Sequence, residues 1–210
     1  LKPYTTLSAA LTAVVQEGST VPYVLRLMPG TYTGAISHDM TNPTQSISIC
    51  GSGPDSTFLE SASTFAAGRA SDALYFRDFA SVTLRDCTVR NCKYGFYPRN
   101  CGSCTIDNVH FTNCGSAGVA NRHDLSASKA DQATYWASTS CSNGGATRVR
   151  SCDTVFIRDC CVSFSARGLR IQDSGTADTT SMVCNNKVSK TLESAIYCAS
   201  GSYDGNSAYG

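Results

Sequence analysis

Between Thr5 and Glu17 the apolar residues Leu7, Ala10, Leu11, Val14 and Val15 recur at the spacing of one helical face. Thr5 or Thr6 can cap the start and Gly18 can end it, so the pattern predicts a short amphipathic helix over residues 5–17. No later segment repeats that spacing. Tyr23 to Met28 reads as a strand, followed by a Pro29-Gly30 turn. Ile47-Ser48-Ile49 reads as a second short strand, closed by the turn cluster Gly51-Ser52-Gly53-Pro54. From residue 74 onward the chain becomes a series of short strands separated by polar turns.

These strands repeat one another. Val82-Thr83-Leu84-Arg85-Asp86-Cys87-Thr88-Val89-Arg90-Asn91-Cys92 aligns with Cys104-Thr105-Ile106-Asp107-Asn108-Val109-His110-Phe111-Thr112-Asn113-Cys114 at a constant offset, 104 − 82 = 22. A third copy runs from Val155 to Val162 and a weaker fourth from Met182 to Val188. A period in the low twenties with strand-turn-strand content signals a solenoid whose repeats bury their apolar faces only by stacking. The predicted fold is all-β: a parallel β-helix of about seven coils, each rising ~4.8 Å. Val82, Leu84, Cys87 and Val89 are expected to line its lumen, and the helix to cap its N-terminal end. The expected organisation is a single domain over 1–210. It comprises a helical cap (1–21), coils (22–120), an irregular stretch (121–152), and coils with a C-terminal tail (153–210). The irregular stretch reads either as a protruding loop or as one irregular coil. The tail of small and polar residues carries no closing helix, which fits a fragment of a longer β-helix, a folded-back loop cap, or an end that docks on another copy.

The first third resembles the N-terminal entry of the pectin lyase-like superfamily, in which a capping helix precedes a strand, a Gly-Thr-Tyr turn and a Gly-x-Gly turn ending in Thr. The corresponding segments here are Gly30-Thr31-Tyr32 and Gly51-Ser52-Gly53-Pro54-Asp55-Ser56-Thr57. The resemblance implies the right-handed β-helix and a polysaccharide-facing outer surface, but its motifs are structural. The signatures of pectin methylesterases, polygalacturonases and pectate lyases do not occur, so no catalytic residue carries over and the expectation leans away from an enzyme.

Composition narrows the setting. The net charge is +1, from 17 Lys and Arg against 16 Asp and Glu, with no basic excess to hold nucleic acid. No apolar run approaches the ~18 residues of a membrane span. Twelve cysteines in 210 residues favour an oxidising, extracellular setting: a cell surface, an extracellular fibre or a virion surface. Any secretion leader is expected to have been removed before Leu1. Ten asparagines form no glycosylation sequon. Equivalent positions on adjacent coils lie within disulfide reach, which predicts a Cys92–Cys114 bridge. Cys160 or Cys161 with Cys184 is a second candidate, and Cys141–Cys152 is expected to pin the irregular stretch. A zinc set from Cys87, Cys92, Cys101 and Cys104 lacks the second CxxC, so no metal or other cofactor is expected.

Candidate chemistry lies on the outer surface. Arg85, Asp86, Arg90, Asp107, Arg158, Asp159 and Arg170 are predicted to point outward, where paired carboxylates or an Arg base serve glycan cleavage. Asp and Asn near turns are read mainly as turn-formers, with Asn108 and Asn186 stacking to satisfy backbone. His38 is placed in a loop and His110 outward on a strand. Tyr94, Phe96 and Tyr97 are placed in one turn beside Arg99. With Arg122, His123, Asp124, Tyr135 and Trp136, residues Tyr94, Tyr97 and Arg99 form the candidate glycan or interface contacts. The function expected is a non-catalytic extracellular structural or surface-assembly protein, self-associating or glycan-associated, with polysaccharide or further copies of itself as partners. The alternative is a polysaccharide lyase, hydrolase or phage-type depolymerase.

Overall fold

The computed structural model describes residues 4–34, 36–40, 43–60, 72–115, 144–172, 180–189, 191, 194–198, 202–204 and 206–209. The strands wind into seven stacked coils, and every strand pairing is parallel. Three faces result. The first carries Tyr23–Arg26, Ser46–Cys50, the opening halves of Ser81–Cys92 and Ser103–Cys114, then Thr154–Arg158, Thr180–Cys184 and Ser202–Asp204. The second carries Gly30–Thr33, Thr57–Glu60, the closing halves of the same two long strands, then Cys161–Ser163, Lys187–Ser189 and Ser207–Tyr209. The third carries Ile36–Asp39, Leu74–Arg77, Tyr94–Arg99, the pair Gly145–Thr147 and Val149–Arg150, then Leu169–Gln172 and Ile196–Cys198.

The corners between faces explain the recurring Asp and Asn. All ten non-glycine residues with positive φ among the described residues fall into three columns. Asp86, Asn108, Asp159 and Asn185 turn the first face into the second. Asn91, Asn113 and Phe164 leave the second face, and Asp78, Asn100 and Ser151 leave the third. The left-handed conformation is reached most cheaply, after glycine, by Asn and Asp. Stacking then adds side-chain bonds: the Asn108 amide donates to Asp86 Oδ1 at 2.8 Å, and the Asn113 amide to Asn91 Oδ1 at 3.3 Å. Phe164 holds the same conformation because the pairing of Ser163 with Thr112 fixes its register, at a steric cost for a bulky side chain.

Inside, alternate residues fill an apolar lumen. Val82, Leu84, Cys87 and Val89 are buried there as the alternation predicts. The helix spans Leu7–Val14, with the Thr6 hydroxyl accepting the Ala9 N–H. It stops short of residue 17 because Val15 is already extended, and Gly18 lies beyond its end. Leu7 and Leu11 close the first coil. Gln45 fastens the helix from below: its amide donates to the Val14 carbonyl and its Oε1 accepts the Gln16 N–H. Asn186 forms a buried ladder, accepting the Cys160 N–H and donating to the Ile157 carbonyl and to Asn206 Oδ1.

The register resolves one open reading and changes several expectations. Val155 pairs directly with Cys104, so of the two readings that an offset of 51 residues left open, the stretch is one coil. The extra length falls within residues 116–143, outside the described residues. Its flanks meet: a side chain on Gly144 would lie 2.5 Å from the Gly115 Cα. His38 sits in a strand and stacks over Phe76 at the N-terminal end of the lumen, not in a loop. Asp107 lies within a strand rather than at a turn. Cys184 is opposite Arg158, while Cys160 faces Asn186 and Cys161 faces Lys187, so neither is in register with Cys184.

Two substitutions should separate lumen from surface. Asn186→Ala leaves the Cys160 N–H and Ile157 carbonyl unpaired in the lumen, which costs about 2–4 kcal/mol, whereas Asn113→Ala costs about 1 kcal/mol. Chemical denaturation should rank them in that order. Gly95→Ala drives a methyl against the Ala146 carbonyl and the Phe111 ring. It should cost at least about 2 kcal/mol by the same assay.

Candidate functional site

Outward side chains on each face form columns that run across the coils. On the first face Arg26, Cys50, Arg85, Asp107, Arg158 and Cys184 align. Past Arg26 these charges satisfy one another. Arg158 binds Asp107 at 2.8 Å, and Arg85 lies 3.7 Å from Asp86 and donates to Cys50 Sγ. On the second face Arg90 binds Glu60 at 2.8 Å and covers the Phe58 ring. Several outward charges predicted from sequence are thus coil-to-coil cross-ties, with little left over for a ligand.

The third face differs. Tyr75, Tyr97, Arg148, Arg170 and Tyr197 form one column; Asp39, Arg77, Arg99, Arg150 and Gln172 form the next. The rings pack along the first column: Tyr75 against Tyr97 at 5.1 Å, the Arg148 guanidinium over Tyr97 at 5.0 Å, and Arg170 over Tyr197 at 5.5 Å. Arg77 is paired with Asp39 and Asp78. Among the described residues no carboxylate lies within ion-pair distance of Arg99, Arg148, Arg150 or Arg170. Arg170 is held below the usual arginine range by burial and then by the charges of Arg167 and Arg148. The surface therefore concentrates like charge that an anion would relieve.

Tyr94 closes the leading edge of this face. Its hydroxyl accepts a hydrogen bond from Arg148 at 3.3 Å, and its ring lies 5.5 Å from Tyr97. Arg148 is also held by Gln172 Oε1 at 3.2 Å. Beside Tyr94 stands Asp72, whose carboxyl is pushed above the ordinary carboxylate range by burial, an effect that Lys93, the Tyr94 backbone and Arg148 oppose. Its Oδ1 is buried with no partner among the described residues.

A family profile described as right handed beta helix region matches residues 61–209. The chain belongs to the right-handed β-helix family. That membership agrees with the pectin lyase-like architecture and with the three-faced coils. No curated protein is similar enough to match the chain. Within this β-helix, three of the eight expected contact residues, Tyr94, Tyr97 and Arg99, come together on the third face, but Tyr94 is buried at 3% exposure and so supports the surface instead of presenting its ring to a ligand. They lie on the strand Tyr94–Arg99 rather than in a turn, and Phe96 points into the lumen. Arg122, His123, Asp124, Tyr135, Trp136 and Cys141 lie outside the described residues. Cys92 and Cys114 are in register as expected, as thiols with sulfurs 3.6 Å apart.

The residues that sequence reading missed are Tyr75, Arg77, Arg148, Arg150 and Tyr197. A signal existed. Tyr75-Phe76-Arg77, Tyr97-Pro98-Arg99, Arg148-Val149-Arg150 and Arg170-Ile171-Gln172 share a polar–apolar–polar triplet. Aligning them required the register across the 51-residue coil.

Asp72 supplies a test of this electrostatic picture. Its folded-state pKa is raised, so the native protein holds an extra proton from about pH 4 upward. Stability therefore falls as pH rises through the raised value, where the half-buried carboxylate ionises. Asp72→Asn should stabilise the protein at pH 7 by up to about 1 kcal/mol and leave it unchanged at pH 3, as read by thermal melts at both pH values.

Proposed function

We propose that this protein is an extracellular, glycan-associated β-helix that holds an acidic polysaccharide along its third face without cleaving it. The observation that carries the reading is the run of arginines with no carboxylate partner among the described residues, stacked with tyrosine rings across successive coils. Tyr75 to Tyr197 spans four coil spacings, about 19 Å. A sugar chain advances per ring by a distance close to one coil, so rings can sit on tyrosines while carboxylates or sulfates reach guanidiniums. The cysteine density fits a secreted protein with a Cys92–Cys114 bridge.

Titration calorimetry with polygalacturonate, dextran sulfate and neutral dextran tests this. Binding is expected for the two anionic polymers, weakening as salt rises. Arg148→Ala and Arg170→Ala should each lower affinity by about tenfold. Equal binding of neutral dextran, or undiminished affinity in the double variant, overturns the reading.

One observation favours a second reading, a polysaccharide-cleaving enzyme. The Asp72 carboxyl, with its pKa raised, stands at the edge of the same face beside Tyr94 and close to Arg148, as a proton donor for a leaving sugar would. Release of reducing ends or of an ultraviolet-absorbing unsaturated product, abolished by Asp72→Asn, would establish it. Intact polymer after prolonged incubation leaves the binding reading.

A further inference from the structure

Eleven of the twelve cysteines are described, and coil stacking gives seven of them a non-cysteine partner. Cys50 faces Arg85, Cys87 faces Val109, Cys104 faces Val82 and Val155, Cys160 faces Asn186, Cys161 faces His110 and Lys187, Cys184 faces Arg158, and Cys198 faces Ile171. Among the described residues, two pairs bring cysteine onto cysteine in register. One is Cys92 with Cys114. The other is Cys101 with Cys152, each just past the left-handed corner residue of its coil, Asn100 and Ser151. The Asp153 N–H donates to the Cys101 carbonyl and the Thr154 N–H to the Gly102 carbonyl, which fixes the two backbones side by side.

Both pairs join the third coil to the fourth. In the chain they flank residues 116–143: Cys114 immediately precedes Gly115, and Cys152 follows Gly144 shortly after the fourth coil resumes. The fourth coil is the one whose strands are separated by this long interval, so it has most to gain from attachment to its neighbour.

We propose that Cys101 and Cys152 are a disulfide-forming site, a second staple that locks the fourth coil to the third when the protein folds in an oxidising compartment. The oxidant is a low-molecular-weight disulfide such as oxidised glutathione. The Cys101 thiolate attacks one of its sulfurs, the oxidant's S–S bond breaks, and one thiolate leaves. Cys152, giving up its proton, attacks Cys101 Sγ of the mixed disulfide and the second thiolate leaves. The cysteine pair loses two electrons and two protons, and the oxidant becomes two thiols. The two sulfurs are buried, so the exchange belongs to folding rather than to the finished lumen.

The test is refolding in an oxidised/reduced glutathione buffer, alkylation of remaining thiols, and mapping without reduction. Trypsin places Cys152 on residues 151–158, and a second cut before Asp107 separates Cys101 and Cys104 from Cys114. Because the same cut falls before Asp153, the expected result is residues 151–152 linked to residues 100–106, with fragmentation assigning the bond to Cys101. Subsequent reduction should lower Tm by about 10 °C. Alkylated Cys101, a bond from Cys152 to Cys104 or Cys141, or a Tm unmoved by reduction overturns the staple. The assay needs no variant, so a folding defect cannot mask the outcome.

Discussion

Everything in this molecule depends on the vertical register of its corners. A coil cannot bury its own apolar face, and stacking buries it only if each turn falls directly above the last. The left-handed residues at three corners enforce that. Asp86, Asn108, Asp159 and Asn185 bend the chain at the same height in successive coils, and amide-to-carboxyl bonds tie neighbours together. Because register is fixed at the corners, every strand residue inherits a column. Lumen residues stack on lumen residues, and outward side chains meet their counterparts one coil away.

That inheritance makes the three faces chemically distinct. On the first and second faces opposite charges fall near one another and cancel, as Arg158 does with Asp107 and Arg90 with Glu60. Such exposed pairs contribute little stability, but they leave little net field for a ligand. On the third face the column places arginine above arginine and tyrosine above tyrosine. Like charges one coil apart repel, and the pKa of Arg170 is depressed by burial first and then by Arg167 and by Arg148 one coil away. Stacking of Arg148 on Tyr97 and of Arg170 on Tyr197 offsets part of that cost. A surface that tolerates this repulsion with no carboxylate in ion-pair distance among the described residues is suited to an anionic partner.

Chain length varies most at the corner that leads into the third face. In the third coil only Lys93 separates the two strands there, whereas in the second and fourth coils the intervals are Ser61 to Ala73 and Gly115 to Gly144. Long connections on a rigid scaffold are where recognition is usually built. Here they enter the scaffold beside Asp72, Tyr94 and Arg148. The in-register cysteines bracket the longest of them, which ties covalent chemistry to the same part of the molecule.

The sequence by itself determined the solenoid. A 22-residue self-alignment, alternating apolar positions and corner Asp and Asn are local patterns, and local patterns are legible because each coil repeats the same backbone solution. It also placed Cys92 opposite Cys114 and Asn108 opposite Asp86, since both pairs fall within the two copies whose offset is constant. Only the tertiary structure decided that 104 to 155 is one coil. That offset sets which residue of the fifth coil lies over which residue of the fourth, and spacing alone allowed two answers. With it came the pairing of Cys152 with Cys101 and the convergence of Tyr75, Tyr97, Arg148, Arg170 and Tyr197. Such a surface is a property of columns, and a column exists only once the chain between its members has been wound.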